Sequence, residues 1–368
     1  MSIQRAITKM ITINGKHNTA QIFLDEIDNA TLKQIINMLN QKAFTDSQIR
    51  FMPDCHVGKS SVIGTTMTLE NFLIPSLLGS DIGCGVLAVQ LKEKRIDLPK
   101  FNSVVNNHLT MKDSFKDAGY KRLKCLKQVG IKEELVYSNL GTLGGGNHFI
   151  SLEQDEDNIY LLIHTGSRLL GNIINDYYKQ KAYDLCNKEV PFEFSFFGKN
   201  TDVYYDYLHD VKIVSEYATL NRELIKKIIL KHAKLHEVDE FDCMHNYIDG
   251  NILRKGAISC QEGERVIIPL NMAEGSIIGL GKGNSDWNFS GPHGAGRKYS
   301  RKDAKNNISM ADYKKSMENI FSTSVNSSTI DEAPQAYKDS ELIIDSIKDT
   351  VEITNMIIPI YNFKNTNK

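Results

Sequence analysis

The sequence predicts an α+β fold in which strands and helices are mixed along the chain. Residues 85–91 and 265–270 are strand-like hydrophobic runs, whereas residues 30–39 and 217–228 carry apolar side chains at helical spacing. The 368-residue chain is 41% hydrophobic and 24% charged, which is enough apolar material for a large core. The sequence has no internal repeats and no run of about eighteen apolar residues that could span a membrane.

The net charge and the cysteine content indicate which partners and which cellular compartment to expect. The net charge of −1 gives no overall attraction for nucleic acid, so an anionic partner would have to meet a local basic patch. The lysine-rich residues 110–136 are the best such patch and are predicted as an exposed helical segment. The six cysteines are scattered, which indicates a reducing compartment without a disulfide framework. Because no signal-peptide pattern is present, we expect a cytoplasmic protein.

The N-terminal part is predicted to contain strands and one helix. Residues 1–27 mix short apolar runs with polar breaks, as strands do. Apolar residues at positions 32, 35, 36 and 39 predict an amphipathic helix over residues 30–39, with Asn29 as its N-cap. Residues 51–67 are rich in Pro, Gly and Ser and predict a loop or a broken strand. The polar side chains there favour a structural or RNA-facing loop over a metal site, and they are Asp54, His56 and Lys59.

A carboxylate and a thiol lie three positions apart in GSDIGCG, residues 79–85. Asp81 offers a hard oxygen and Cys84 a soft sulfur, and the glycine-rich backbone would let both approach one metal ion or two. The commoner alternative is a turn with a solvated aspartate and a small buried cysteine. The buried strand predicted over residues 85–91 leaves directly from this motif.

Polar, glycine-flanked histidines recur downstream and are candidates to converge on that motif. His148 ends the glycine-rich loop GTLGGGNHFIS, whose amides could approach an anion, although a hydrogen-bonded turn histidine is an equal alternative. His164 stands at the end of a predicted strand, where a rigid scaffold suits a ligand, and Arg168 just after it could pair with a phosphate. The pair His232 and His236 has zinc-ligand spacing, but without a general base beside it we interpret it as a solvated helix end.

The segment SGPHGAGRKYSR, residues 290–301, encloses His293 between glycines and places Arg297 and Arg301 nearby. A histidine in such a cradle fits a group that receives or carries a phosphoryl unit, and it fits poorly with an apolar core. Residues 302–330 are rich in Ser and Asn and predict a surface insertion or linker without a second core. A helix is predicted around residues 341–351.

Taken together, these segments resemble the RtcB family of RNA ligases from about residue 52 to residue 364. The segments that carry the resemblance are MPDCHVGK, GSDIGCG, GGGNHF, HTGSR, HN at His245, RKGA, PHGAGRKYSR and EAPQAYK. Their order and number make the resemblance specific, although no single one would suffice. It implies a single compact catalytic domain over residues 1–368, with mixed β-sheets flanked by helices around a deep metal cleft.

The resemblance also implies roles for individual residues. The positions that match the family's ligands for two manganese ions, with the cysteine sulfur shared, are Asp81, Cys84, His148, His164 and His245. Ligand type alone would suggest zinc, so manganese comes from the resemblance. His293 matches the histidine that becomes linked to GMP. Positions matching guanine-nucleotide contacts are Asn147, Phe149, Ser276, Ala295, Tyr337 and Lys364, to which we add Asn271, Gly294, Gly296 and Arg297. Arg168 and Arg301 are assigned to RNA or phosphate binding.

Two segments depart from the family pattern. Ser151 stands where the family usually has a glutamate that contacts guanine. Glu153 lies two residues on, which in a strand is the same face, but that position alone does not assign it the same role. Where the family usually has Pro-Gly-Ser, this chain has Pro269, Leu270 and Asn271, although Asn271 can still donate to a phosphate. These departures suggest a divergent paralogue devoted to RNA damage repair.

The implied reaction joins an RNA end bearing a 3′-phosphate or a 2′,3′-cyclic phosphate to a 5′-hydroxyl end, with GTP as cosubstrate. The histidine takes GMP from GTP and releases pyrophosphate, and a cyclic RNA end is first opened to a 3′-phosphate. GMP then moves to the RNA 3′-phosphate, and the 5′-hydroxyl displaces GMP. Neutral imidazole suits the first step because it is a nucleophile near pH 7. Two alternatives stay open, a two-metal hydrolase that opens cyclic phosphates without joining ends and a non-catalytic RNA-end binder.

Overall fold

The structure, a computed structural model, describes residues 10–109 and 119–365. Its strands are β1 (Ile11–Asn14), β2 (Thr19–Ile22), β3 (Ile49–His56), β4 (Ile63–Thr68), β5 (Phe72–Leu73), β6 (Gly85–Leu91), β7 (Phe149–Gln154), β8 (Ile159–Thr165), β9 (Phe197–Gly198), β10 (Glu237–Met244), β11 (Asn246–Asp249), β12 (Ile252–Lys255), β13 (Ala257–Ser259), β14 (Arg265–Asn271), β15 (Gly275–Gly281), β16 (Ser290–Pro292) and β17 (Val351–Phe363).

The α-helices of the described residues lie between and after these strands. They are α1 (Asn29–Leu39), α2 (Pro75–Leu78), α3 (Leu98–His108), α4 (Leu126–Val129), α5 (Glu133–Tyr137), α6 (Arg168–Leu185), α7 (Asp202–Ala233), α8 (Arg301–Asn307), α9 (Met310–Ser316) and α10 (Ser340–Ser346). No helix in this part of the chain is both long and apolar enough to cross a membrane.

Two large sheets organise the fold. The first has six strands in the order β1-β2-β3-β4-β12-β11, and the second has seven in the order β10-β6-β8-β7-β17-β15-β14. All neighbours are antiparallel except β2 and β3. Helices pack against both sheets, so the predicted α+β class with mixed sheets and flanking helices is confirmed.

The centre of the second sheet is buried on both faces. On β6, Leu87 and Val89 join a core formed with α3 and α7, whereas Val86 and Ala88 join another core on the opposite face. Alternating residues of a strand point to opposite faces, so a strand covered on both sides reads as a continuous hydrophobic run. This is why residues 85–91 were recognisable as a buried strand, and that prediction is confirmed.

Several local predictions hold and one needs a small correction. The strands in residues 1–27 and the helix over residues 30–39 are confirmed within the described residues. The N-cap is Asp28 and not Asn29, because the Asp28 carboxylate accepts hydrogen bonds from the amides of Ala30 and Thr31. His236 lies beyond the end of α7 with its Nδ1 2.8 Å from Glu93, which agrees with a solvated helix end.

The prediction of an exposed helical segment over residues 110–136 holds in part for the residues that the structure describes. Residues 110–118 lie outside the described residues. Beyond them the segment is not one continuous helix, because it forms a 3₁₀ turn over Tyr120–Arg122 and the short helices α4 and α5, which are separated at Gly130. Gly130 has φ of +59°, a left-handed conformation that ends a helix and favours glycine.

The predictions for the last seventy residues also need correction. Residues 302–330 are not a linker without a core, because α8 and α9 enclose a small separate apolar cluster around the buried Tyr313. The helix expected around residues 341–351 is α-helical over Ser340–Ser346 and continues as a 3₁₀ turn over Ile347–Asp349, and Val351 already begins β17. That thirteen-residue strand pairs with both β7 and β15, and so it completes the second sheet.

Candidate active site

Four strand ends meet at one edge of the second sheet. Cys84 directly precedes β6 and His148 directly precedes β7, while His164 lies at the end of β8 and His245 follows β10. Because β6 and β7 run antiparallel to β8, and β10 runs antiparallel to β6, these starts and ends fall at the same edge. The topology thus brings together residues that are up to 161 positions apart in sequence.

The thiol of Cys84 lies at the centre of this group. Its Sγ is 3.5 Å from His148 Nε2 and 3.3 Å from His164 Nε2. Asp81 Oδ2 is 2.9 Å from His148 Nε2, and His164 Nε2 is 3.4 Å from His245 Nε2. All five predicted metal-ligand residues are therefore in one cluster.

The five residues form two sets, each of which could hold one metal ion, and Cys84 belongs to both sets. One set is Cys84, His164 and His245, the other is Asp81, Cys84 and His148, and in each the ligand atoms lie within 4.8 Å of one another. Burial lowers the pKa of His164 and His245 well below the usual value, so both imidazoles are neutral and able to bind a cation.

The acidic members and the ring orientation also fit a metal. Burial and the Asp81 carboxylate raise the pKa of the Cys84 thiol well above its usual value, so binding a cation would displace its proton. The Nδ1 of His148 lies 3.0 Å from the carbonyl oxygen of Leu143, and a hydrogen bond there leaves Nε2 free as the ligand atom. The donor set of one thiolate, one carboxylate and three imidazoles therefore fits transition-metal ions.

His293 lies beside this cluster and is held by a buried carboxylate. Its ring centroid is 4.8 Å from that of His245. Its Nδ1 is 2.5 Å from Asp54 Oδ2, which also accepts a hydrogen bond from the His293 amide at 3.1 Å. Asp54 is fully buried, and a hydrogen bond from Nδ1–H to its carboxylate leaves the lone pair of Nε2 free.

The segment around Asp54 is fixed by two later parts of the chain. Lys338 donates hydrogen bonds from Nζ to the carbonyl oxygens of Pro53 and Cys55, at 3.0 and 2.7 Å. Gly296 has φ of +74°, and a Cβ there would lie 2.2 Å from the Asp54 carbonyl oxygen. Only glycine fits this left-handed, close-packed position. Asp54 is thus a site residue, which the interpretation of residues 51–67 as a structural or RNA-facing loop did not assign to His293.

A cavity of about 830 Å³ opens in front of these groups. The predicted site residues that line it are Asp81, Asn147, Phe149, His164, His245, Asn271, His293, Gly294, Ala295, Gly296, Arg297, Arg301, Tyr337 and Lys364. Cys84 and His148 lie buried behind that surface. Ser276 is fully buried and is not part of the lining, and Arg168 is not part of it either.

Arg168 packs against the glycine-rich loop. Its guanidinium lies where a Cβ on Gly144 would be, and its Nη1 is 3.1 Å from His148 Nδ1. The residue has φ of +55° at the start of α6. Its role in phosphate binding stays a prediction, while its position indicates that it supports the loop that carries His148.

One buried carboxylate organises the cationic wall of the cavity. Glu332 is 3.0 Å from Lys364 Nζ and 3.3 Å from Arg297 Nη1, it pairs with Arg301, and it accepts a hydrogen bond from the Tyr337 hydroxyl at 2.7 Å. Burial alone would raise the pKa of Glu332, but the neighbouring cations outweigh it and hold the pKa at about 2. The carboxylate is therefore ionised, and it fixes three cations that face the cavity.

Glu153 lines the same cavity from β7. It is 3% exposed, and its Oε1 accepts a hydrogen bond from the Ser151 hydroxyl at 2.6 Å. Burial raises the pKa of Glu153 to about 7, and the hydroxyls of Ser151 and Ser276 only partly offset this effect. Glu153 thus shares a face and a hydrogen bond with the residue that departs from the family pattern.

The fold and the site define a protein with a cysteine-centred candidate metal site beside a carboxylate-held histidine in a deep cavity. The profile of the family described as tRNA-splicing ligase RtcB matches residues 34–114 and 105–365. The chain is 30% identical to the RNA-splicing ligase RtcB of Escherichia coli (strain K12), over 87% of this chain and 90% of that protein. It is 27% identical to the tRNA-splicing ligase RtcB of Methanococcus maripaludis, over 81% and 84% of the two chains. The chain therefore belongs to the RtcB family.

Membership confirms the resemblance stated from the motifs. A further relative, the RNA-splicing ligase RtcB2 of another Escherichia coli strain, is 28% identical over 84% of each chain. This chain thus spans most of the length of these relatives, and the residues of the metal cluster and His293 lie within the segments that match the family profile.

Proposed function

We propose that this chain is a GTP- and Mn(II)-dependent RNA ligase. It joins RNA ends bearing a 3′-phosphate or a 2′,3′-cyclic phosphate to 5′-hydroxyl ends, in RNA repair or tRNA splicing. The observation that carries the proposal is the position of His293, 4.8 Å from His245 between ring centroids and hydrogen-bonded to the buried Asp54. A hydrolase of cyclic phosphates would need the metal-ligand cluster but no such held histidine.

The metal would be held by the two sets that share Cys84. One Mn(II) ion would be bound by Asp81, Cys84 and His148, and a second by Cys84, His164 and His245. When bound, the ions would supply positive charge that offsets the negative charge of the reacting phosphates.

His293 would carry the covalent step. Its Nε2 lone pair attacks the α-phosphorus of GTP, a P–N bond forms, and the bond to pyrophosphate breaks. Asp54 keeps the proton on Nδ1 and stabilises the positive charge that the ring gains on attack. A 2′,3′-cyclic end is first opened by water to a 3′-phosphate. An oxygen of the RNA 3′-phosphate then attacks the GMP phosphorus, and the P–N bond to His293 breaks. Finally the 5′-hydroxyl oxygen loses its proton, attacks the activated 3′-phosphate and displaces GMP.

The cationic wall would bind the phosphates. Arg297, Arg301 and Lys364 face the cavity and are already fixed by Glu332, so little reorganisation is needed when an anion arrives. Phe149 and Tyr337 add aromatic surface near Lys364 and Arg297, at 5.7 and 5.3 Å from cation to ring centroid. A nucleotide would thus find charge and a flat apolar surface in one cavity.

An end-joining assay tests the proposal. Two RNA strands, one ending in a 2′,3′-cyclic phosphate and one starting with a 5′-hydroxyl, are incubated with the protein, Mn(II) and GTP. We expect a joined product that disappears when either GTP or Mn(II) is omitted. Opening of the cyclic end without joining would indicate the hydrolase instead, and RNA binding without either reaction would indicate an end binder.

The choice of RNA tests the biological role. Nicked tRNA, cleaved rRNA and tRNA splicing halves are compared at equal concentration. The hypothesis of a paralogue devoted to damage repair predicts faster joining of the nicked and cleaved RNAs. A clear preference for the splicing halves would contradict that hypothesis and leave the ligase proposal intact.

A further inference from the structure

Alternating positions of β7 form one wall of the cavity. Phe149 and Glu153 both line it, and Ser151 lies between them on the same face. On the neighbouring strand β17, Asn362 is paired directly with Ser151 and also lines the cavity. Directly opposed residues of an antiparallel pair point to the same face, so these four side chains form a continuous surface.

Two hydrogen-bond acceptors on this surface have no partner among the described residues. They are Glu153 Oε2 and Asn362 Oδ1, and both atoms are buried. The Ser276 hydroxyl lies near enough to lower the pKa of Glu153, but it makes no hydrogen bond of normal geometry to Oε2. Glu153 and Asn362 are 3% and 4% exposed, so water does not replace a missing partner freely. An unpaired buried acceptor costs about 1–3 kcal/mol, so a ligand that brings donor groups to this surface would be stabilised there.

The pattern of acceptors selects among purine bases. The edge of guanine carries two adjacent donors, N1–H and the 2-amino group, which suit a carboxylate oxygen and an amide oxygen. The corresponding edge of adenine carries one donor and one acceptor, so an acceptor oxygen in the pocket would face a second acceptor. Phe149 lies on the same wall and offers a ring face on which a base can stack.

We propose that this wall recognises the base guanine. Glu153, which is held by the Ser151 hydroxyl, and Asn362 accept hydrogen bonds from the N1–H and the 2-amino group of guanine. The inference rests on the proposed function, because it assigns the base of the GTP cosubstrate to this wall. Ser151 replaces the glutamate expected from the family pattern, and the carboxylate that binds the base is that of Glu153, two residues later in this chain. Ser151 is a positioning residue that acts through Glu153.

Two readouts test the proposal. The first is the rate at which the full-length protein with Mn(II) forms a labelled adduct from GTP, ITP, ATP or XTP. ITP keeps N1–H and lacks the amino group, whereas XTP places a carbonyl oxygen at that position. The second is calorimetric binding of GTP and ATP in EDTA, which requires neither metal nor catalysis.

For the unmodified protein we expect GTP to be preferred over ATP and XTP by at least about a hundredfold, with ITP intermediate. Glu153→Gln keeps the size of the side chain but offers a donor in place of one acceptor. It should lower GTP use about a hundredfold with little effect on ATP, so that discrimination collapses in both readouts. Ser151→Ala should weaken discrimination about tenfold, and Glu156→Gln in the exposed turn after β7 should leave it unchanged.

The outcomes separate this inference from the proposed function. If none of the nucleotides forms an adduct, the ligase proposal is overturned. The calorimetric affinities for GTP and ATP would still show whether the cavity prefers guanine. Equal use of GTP and ATP by the unmodified protein, or full discrimination in Glu153→Gln, would overturn the inference and leave the ligase intact. If Glu153→Gln does not fold, judged by its melting temperature, Ser151→Ala decides in the same way.

Discussion

The Nδ1 atom of His293 lies 2.5 Å from Oδ2 of Asp54, a fully buried carboxylate that comes 239 positions earlier in the chain. The carboxylate can fix the tautomer in which Nε2 is free to attack. Asp54→Asn should therefore slow adduct formation about 10²–10⁴-fold with little change in the affinity for GTP. Single-turnover rates at several GTP concentrations measure both quantities.

A merely structural role for Asp54 would give a different result. Asp54→Asn would then lower the melting temperature and Mn(II) binding together with the rate. If Asp54 positions His293, the melting temperature and Mn(II) binding stay close to those of the unmodified protein, and the pH profile of the adduct-forming step changes. A variant with normal rate would contradict the assignment of Asp54 as the residue that positions His293.

Cys84 is the residue common to both sets that could hold a metal ion. Removing a shared ligand should affect both ions, so Cys84→Ala should lose Mn(II) binding and abolish both adduct formation and end joining. Mn(II) content after dialysis, measured by mass spectrometry, and the two activities check this. Cys260→Ala is the matched control, because Cys260 is also fully buried but lies in an apolar core. If Cys84→Ala carries out either step at the normal rate, Cys84 is not a ligand shared by the two metal ions.

Glu332 balances three cations in the cavity wall. Glu332→Gln removes the buried negative charge and leaves Arg297, Arg301 and Lys364 facing one another. We expect a loss of about 3 kcal/mol in the free energy of unfolding, measured by denaturant titration at pH 7. The exposed Glu318→Gln should change stability by less than about 0.5 kcal/mol. An unchanged stability of Glu332→Gln would contradict the role of Glu332 as the organising charge.

Glu153 should make stability depend on pH in the direction opposite to a paired carboxylate. Its pKa is raised by burial to about 7 from an ordinary value of 4.5, so the folded state holds this proton more tightly than the unfolded state does. The stabilisation is fully present below pH 4.5 and is lost as pH rises through about 7, by about 3 kcal/mol in total. The difference in unfolding free energy between the unmodified protein and Glu153→Gln, measured from pH 4.5 to 8, should show this loss. A difference independent of pH would contradict it.

The candidate metal site was predictable because each residue of ligand type lies beside a recognisable local sequence signal. Cys84 precedes a continuous hydrophobic run and His164 ends another, so strand ends marked their positions. That these ends meet at one edge follows from strand order, which depends on long-range pairing and not on local sequence. The resemblance to the family predicted that these residues lie together, and the structure places them together.

The features that sequence reasoning missed depend on contacts between distant segments. Asp54 lies in a segment rich in Pro and Gly, and its role follows only from the approach of Gly296 and Lys338. The place of Glu153 in the cavity wall depends on the pairing of β7 with β17, and the start of β17 was itself predicted as the end of a helix. The apolar cluster around Tyr313 is built from residues spaced along a polar segment, so composition alone concealed it.

The most direct test of the whole account is covalent labelling of His293. The protein is incubated with Mn(II) and GTP labelled at the α-phosphate, and the products are separated under denaturing conditions. The account predicts a protein-bound label that is stable in alkali and labile in acid, as expected of a phosphoramidate, and that is absent from His293→Ala. A protein that takes up no label, or a label that persists in His293→Ala, would contradict the proposed ligase mechanism.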